Sequence, residues 1–250
     1  MPYAGYKELS NECLYNERMI KQTNDEIKYR ESIPHTEYPL QINLELTNVC
    51  NLQCSFCINK EPFFRKKGFI SRDIVESLVK QLPKATIITL CGIGEPTLHP
   101  EFAELLHILS KHFDDMYLVT NGQNLNDAVI HAILTSSISK ITISLDYFTE
   151  SQYKQEKRGE LKRVLKNLDT LFEARRQTTG KNVSIQINML AQRGNEQDII
   201  NSINYFSSRL SAIDYIYSRN IKTLSGQVKV KKRNNADDWH SLENFKEQIK

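Results

Sequence analysis

Three cysteines lie within eight residues of the chain, at Cys50, Cys54 and Cys57, with the spacing C-x3-C-x2-C. Thiolates are good ligands for soft metals and for iron–sulfur clusters, and three so close in sequence can bind one compact centre. A structural zinc site normally has four Cys or His ligands, and the nearest histidines, His35 and His99, are not at zinc-finger spacing. The spacing therefore predicts a soft-metal centre with one open coordination position.

The cysteines alone leave two other interpretations open. One is a structural zinc site completed by the distant Cys91 or by a histidine, and the other is a set of unrelated buried thiols. The chain has five cysteines, an odd number, and its N-terminal sequence lacks the basic start and apolar stretch of a secretion signal. We therefore expect a cytoplasmic protein with reduced thiols rather than a disulfide framework.

Strand and helix patterns alternate from about residue 40 onward and would position these cysteines. Apolar residues at helical spacing predict helices near 101–113 and from 161. Six segments are rich in strand-forming residues: 42–46, 86–91, 116–120, 140–145, 183–190 and 212–217. This alternation predicts an α/β fold with parallel strands, either an open doubly wound sheet or a partial barrel. In both, a ligand binds at the carboxyl ends of the strands, which is where the cysteine loop follows the first strand.

Further motifs occur where later predicted strands end. GIGEP (92–96) follows the second strand and Asn121-Gly122 the third, and each is by itself an ordinary tight turn. Ser144 and Asp146 alternate along the end of the fourth strand, where Asp146 or Thr149 could cap the next helix. Cys91 is interpreted as a small buried residue rather than a ligand.

Taken in order, these motifs resemble the signatures of the radical S-adenosylmethionine (SAM) superfamily. CNLQCSFC resembles the family's CxxxCxxC motif, including the aromatic residue before the third cysteine, here Phe56. GIGEP resembles its GGEP motif, and SLD with the later Arg158-Gly159 resembles its SLD and R-G elements. The resemblance covers about residues 40–222 and implies a partial (β/α)6 TIM-like barrel.

The resemblance implies a role for each matched residue. Cys50, Cys54 and Cys57 would hold one [4Fe–4S] cluster, whose open iron binds S-adenosylmethionine and whose electron cleaves it to a 5′-deoxyadenosyl radical. The implied cofactor-binding residues are Phe56, Gly94, Glu95, Ser144, Arg158 and Asn188. Asn121 would line the cavity. No catalytic acid or base is assigned, because the cluster and cofactor carry the radical chemistry.

The sequence also departs from the family pattern. Ile93 interrupts the glycine pair of GGEP, and Tyr147 stands where a glycine usually follows SLD. The motif pattern is similar to the subgroup with a C-terminal SPASM or Twitch extension, which holds auxiliary clusters. No cysteine follows Cys91, so we expect either a protein without that extension or a chain that stops before it.

The expected activity is hydrogen abstraction from a peptide, a sugar-derived compound or a nucleoside, without a prediction of the net reaction. An external electron donor such as flavodoxin or ferredoxin would reduce the cluster. The alternative is a zinc- or cluster-stabilised binding module without turnover. Lys and Arg (33) exceed Asp and Glu (30) by only three, so we do not expect a nucleic-acid partner, and no apolar run is long enough to span a membrane.

We expect three parts in the chain. Residues 1–37 would form an N-terminal helical extension, and residues 38–222 the barrel. Residues 223–250 would form a short C-terminal tail, a linker and helix that could begin a further domain.

Overall fold

The computed structural model describes residues 37–60, 66–191 and 195–220. The predicted N-terminal extension (except Glu37) and the C-terminal linker and helix lie outside the described residues, so their prediction stays open.

Six parallel strands follow one another in space in the order in which they occur in the sequence. They are β1 (Gln41–Leu44), β2 (Ile87–Leu90), β3 (Met116–Thr120), β4 (Ile138–Asp146), β5 (Ser184–Ala191) and β6 (Tyr215–Asn220). Every neighbouring pair is parallel. The carboxyl ends of all six strands therefore share one rim of the sheet.

Helices connect these strands. They are α1 (Arg72–Gln81), α2 (Phe102–Ser110), α3 (Asp127–Thr135), α4 (Glu150–Lys157), α5 (Leu161–Gln177) and α6 (Glu196–Phe206). Two short 3-10 turns, Ile58–Lys60 and Pro96–Leu98, lie in the connections after β1 and β2. Asn126 caps α3 by accepting a hydrogen bond from the backbone N–H of Val129 at 3.0 Å. The predicted α/β fold with six parallel strands is confirmed, and the sheet is open in the part of the chain that the structure describes.

The six predicted strands and the helices predicted near 101–113 and from 161 are present, with shifted ends. The third strand matches its predicted bounds, whereas the fourth begins two residues earlier than expected and the sixth begins at Tyr215. The helix expected near 101–113 ends at Ser110, and Gly180 follows the end of α5 with a φ of 81°. Ends shift because a strand or helix stops where its backbone pairing stops, which apolar periodicity does not specify.

The two faces of the sheet differ in chemistry. Residues such as Ile88 and Leu90 point outward and are fully buried in the apolar core shared with the helices. The inner face carries several polar residues: Gln41 donates to Thr89 Oγ1 at 2.6 Å, and Thr142 donates to Gln186 Oε1 at 3.2 Å. The polar inner face opens onto the rim at which the cysteine loop lies.

Candidate active site

The cysteine loop leaves β1 and crosses the carboxyl rim of the sheet. Backbone N–H groups in the loop point at two of its sulfurs: Leu52 N lies 3.4 Å from Cys50 Sγ, and Asn59 N lies 3.3 Å from Cys57 Sγ. The backbone N–H of Cys57 donates to the carbonyl of Cys54 at 3.0 Å, which closes a tight turn between the last two cysteines. N–H donors of this kind stabilise thiolate ligands and orient them.

The donor set suits an iron–sulfur cluster. Three thiolates from one short loop can each bind a different iron of a [4Fe–4S] cube, which leaves the fourth iron free of protein ligands.

Burial controls the protonation of two of these thiols. Burial raises the pKa of Cys50 above its usual range. It raises the pKa of Cys54 to about 12, even though the positive charge of Lys157 opposes this shift. The free thiols of Cys50 and Cys54 are therefore protonated at neutral pH. Binding of a metal centre must displace these protons.

The GIGEP turn after β2 packs directly against the cysteine loop. The backbone N–H of Glu95 donates to the carbonyl of Val49 at 2.8 Å. A Cβ atom on Gly94 would lie 2.1 Å from the carbonyl oxygen of Thr47. Only glycine allows two backbones to approach so closely, so the structure explains Gly94 by the packing of the turn on the loop.

Glu95 is buried and its carboxylate joins two strand ends. Oε1 accepts from the hydroxyls of Thr97 and Thr120, both at 2.7 Å, and from the N–H of Thr97 at 3.2 Å, while Oε2 accepts from the N–H of Asn121 at 2.7 Å. Burial raises the pKa of Glu95, and these donors oppose that shift. This carboxylate holds the ends of β2 and β3 together beneath the loop.

Asn121 connects the third strand end to the cysteine loop. Its Nδ2 donates to Asn51 Oδ1 at 2.8 Å and lies 3.8 Å from Cys50 Sγ. Its Oδ1 accepts from the N–H of Gln123 at 2.9 Å, which fixes the orientation of the amide. The sequence placed Asn121 on the cavity wall, and the structure adds contact with the first cysteine.

The end of β4 contains an irregularity and a buried ion pair. The register with β5 shifts between Ser144 and Asp146, and Asp146 has a φ of 66°, in the left-handed region. Its Oδ2 lies 2.5 Å from Nζ of Lys157, and both side chains are almost fully buried. The predicted helix cap is wrong for Asp146, which pairs with Lys157. Thr149 does occupy the N-cap position of α4, but its hydroxyl donates to Asp198 Oδ1 at 2.5 Å and accepts no hydrogen bond from a helix N–H.

Residues at the C-terminal end of α4 hold the middle of the cysteine loop. The N–H of Ser55 donates to the carbonyl of Glu156 at 2.6 Å, and that of Gln53 donates to the carbonyl of Lys157 at 3.4 Å. Cys54 Sγ lies 4.0 Å from the same Lys157 carbonyl. Burial lowers the pKa of Lys157, but the Asp146 carboxylate, Tyr153 and Cys54 together outweigh this effect and raise the pKa above its ordinary value.

The other predicted cofactor contacts lie around this rim. Phe56 packs against the core, with its ring centroid 6.5 Å from that of Tyr147. Tyr147, which stands where the family usually has a glycine, therefore contacts the aromatic residue of the cysteine motif. Asn188 is buried and pairs in register with Ser144 across β4 and β5. Arg158 is exposed and ends α4 with a φ of 59°.

Sequence analysis missed Lys157, the residue before the predicted arginine. Lysine is almost never fully buried without a partner, so a lysine is ordinarily expected to be exposed. The partner of Lys157, Asp146, lies eleven residues earlier, and nothing in the sequence indicates that the two side chains meet. Cys91 is half-buried. Its burial and, to a smaller extent, the negative charge of Glu45 raise its pKa.

Comparison with known proteins now adds to this geometry. A family model described as the Radical SAM superfamily matches residues 44–191. GTP 3′,8-cyclase of Clostridium perfringens is 28% identical over 65% of this chain and 50% of its own length. The mycofactocin maturase MftC of Mycobacterium ulcerans is 30% identical over 43% of this chain and 29% of its own. The chain thus spans about half the length, or less, of these curated relatives.

Solved structures support the fold. Streptococcus suis SuiB bound to S-adenosylmethionine has a TM-score of 0.68 and 18% identity, over 93% of this chain and 52% of its own. SuiB bound to the precursor peptide SuiA has a TM-score of 0.69 and 17% identity, over 100% and 54%. In the described part of the chain, no helix is both long and apolar enough to cross a membrane.

Proposed function

Because the chain belongs to the radical SAM superfamily, whose cofactors are a [4Fe–4S] cluster and S-adenosylmethionine, we propose that it is a radical enzyme whose cluster is held by Cys50, Cys54 and Cys57. The observation that carries this proposal is the placement of the three thiols on one loop at the carboxyl rim. That loop is held by the GIGEP turn, by Asn121 and by the end of α4, whose Lys157 is bound to the strand end that carries the SLD motif.

The chemistry supplied by the bound cofactors is reductive cleavage of S-adenosylmethionine, which generates the radical that abstracts hydrogen from the substrate. The protein's contribution is to bind and orient. The Gly94 turn and the Glu95 carboxylate fix the loop that carries the cysteines. The polar inner face beneath the rim, with Thr142 and Gln186, provides hydrogen-bonding groups for cofactor and substrate.

We propose direct cofactor contacts for residues at the ends of β2, β4 and β5. Ser144 and Asn188 lie side by side in register, which suits recognition of adjacent polar groups. The backbone of Gly94 and Glu95 borders the cysteine loop, and Phe56 lies between two of the cysteines. Arg158 is exposed at the end of α4, from which its guanidinium could form a fork with a carboxylate.

We propose a peptide as the substrate. The support is the fold similarity of the whole described chain to SuiB, a structure of which contains the precursor peptide SuiA. A nucleotide is the second candidate, favoured by the sequence similarity to GTP 3′,8-cyclase. An external electron donor such as flavodoxin or ferredoxin, a cytoplasmic location and the division of the chain near residues 37 and 222 also belong to this proposal.

Anaerobic reconstitution tests the proposal. The protein should bind about four irons per chain, as one [4Fe–4S] cluster requires. With a reductant it should convert S-adenosylmethionine to 5′-deoxyadenosine. Replacement of Cys50, Cys54 or Cys57 by alanine should abolish both, whereas Cys91→Ala is the matched control that should retain them.

A binding module gives a different result in the same experiment. It would contain one zinc per chain, show no visible iron–sulfur absorption and leave S-adenosylmethionine intact. That outcome for the wild-type protein would refute the enzymatic proposal. Incubation with candidate peptides and with GTP, followed by mass spectrometry, separates the two substrate classes.

A further inference from the structure

A buried ion pair lies beside the cysteine loop, at Lys157 and Asp146, with relative exposures of 2% and 3%. Burying two charges is costly, and apolar residues of similar size often stabilise a protein as well or better. The pair is also accompanied by left-handed backbone at Asp146, a strained conformation that persists where the surroundings impose it. Stability alone therefore does not account for these charges.

The pair is tied to one specific cluster ligand. The carbonyl of Lys157 accepts from the N–H of Gln53 and lies 4.0 Å from Cys54 Sγ. Its ammonium group is held by Asp146 and by the carbonyl of Ser144. The lysine is thus fixed at both ends, one on the loop and the other on the end of β4.

Both charges of the pair lie beside the cysteine loop. Lys157 reaches the loop through its backbone carbonyl, 4.0 Å from Cys54 Sγ, and its ammonium group pairs with Asp146 in an almost fully buried position. Interactions between charges are strong in a buried environment, because little water screens them. A centre bound at Cys54 therefore experiences the fields of a fixed cation and a fixed anion, which act on its potential in opposite directions.

We propose that Lys157 and Asp146 are positioning residues that set the reduction potential of the cluster, Lys157 raising it and Asp146 limiting the increase. This inference rests on the proposed function. Reduction adds negative charge to the cluster, and a nearby buried cation stabilises the reduced form.

The test is a redox titration of the reconstituted full chain, followed by electron paramagnetic resonance of the reduced cluster. Lys157→Met should lower the potential, decreasing the ratio of reduced to oxidised cluster at a fixed potential about tenfold, which is about 59 mV for one electron. Asp146→Asn should shift the potential upward. Lys154→Met, one turn earlier on the same helix and exposed, should leave it unchanged.

Opposite shifts would separate an electrostatic role from a purely structural one. The double variant Lys157→Met/Asp146→Asn removes both charges, and its potential should lie between those of the two single variants. Lys157→Gln keeps an N–H donor for Asp146 and should also lower the potential, so it serves if Lys157→Met does not fold. Equal potentials in all variants, shifts in the same direction, or loss of folding in every variant would overturn the inference.

The same titration distinguishes this inference from the proposed function. A wild-type protein that assembles no cluster refutes the proposed function itself. A wild-type cluster with unaltered potentials in the variants refutes only the role of the ion pair.

Discussion

Two buried ion pairs lie at opposite ends of the sheet and differ in how completely they are satisfied. At the amino ends of β5 and β6, Arg175 forms a two-pronged contact with Asp214 at 2.5 and 2.6 Å. Asp214 also accepts from the N–H of Ile185 and from the N–H and hydroxyl of Ser211. Both of its oxygens are fully used.

The pair at the carboxyl rim is less complete. Asp146 Oδ2 binds Lys157, but among the described residues Asp146 Oδ1 is a buried oxygen without a hydrogen-bond partner. An unsatisfied buried acceptor and a left-handed backbone both reduce stability. The difference indicates that the amino end is optimised for folding, whereas the rim retains groups that stability does not favour. Such compromises are typical of functional sites.

Breaking the complete pair should have the largest effect on stability. Arg175→Met leaves the Asp214 carboxylate buried without its cation, and loss of one partner of a buried pair costs about 3–5 kcal/mol. Chemical denaturation should show this loss. The cluster of the fraction that remains folded should keep its visible spectrum, because the pair is remote from the cysteine loop.

Arg176→Met is the matched control, since the neighbouring Arg176 pairs with Glu173 on the exposed surface. It should leave the denaturation midpoint nearly unchanged. If the two variants were equally stable, the amino-end pair would not have the structural role assigned to it.

A substitution at the rim should have an intermediate effect. Gly94→Ala would place a Cβ within 2.1 Å of the Thr47 carbonyl and force the GIGEP turn away from the cysteine loop. We expect a loss of at least ~2 kcal/mol in the free energy of unfolding, as for overpacking in a tight interior. The iron content after reconstitution should also fall, because the displaced loop carries the ligands.

Gly68→Ala provides the comparison, because a Cβ on Gly68 meets no atom within 4 Å. It should retain both stability and iron content. Normal iron loading in Gly94→Ala would show that the turn does not hold the loop in place.

The sequence predicted the fold well because its main features are periodic. The apolar runs of β2 and β3 and the spacing in α2 and α5 follow directly from which residues must be buried. The cysteines and Gly94 were found because their types and spacing are rare. The strand order then brought them to one rim without further information.

Two features of the site could not be predicted in this way. The burial of Lys157 depends on a register shift and a left-handed residue at the end of β4, which are tertiary features. The role of Asp146 was misassigned because its carboxylate can either cap the next helix or pair with Lys157, eleven residues later, and the sequence does not say which. Local patterns favour the cap, whereas the folded chain selects the buried lysine.

The smallest expected effect concerns Ser144, which lies next to the rim pair without being part of it. Its backbone carbonyl accepts from Lys157, and alanine keeps that carbonyl, so Ser144→Ala should not change the unfolding midpoint. If its hydroxyl binds the cofactor, the affinity for S-adenosylmethionine should fall about fivefold, equivalent to about 1 kcal/mol for one hydrogen bond. Isothermal titration calorimetry of the reconstituted protein measures this affinity. Ser139→Ala is the control, because Ser139 lies at the opposite end of β4, and this variant should keep the wild-type affinity. An unchanged affinity in Ser144→Ala would contradict the proposed contact between this hydroxyl and the cofactor.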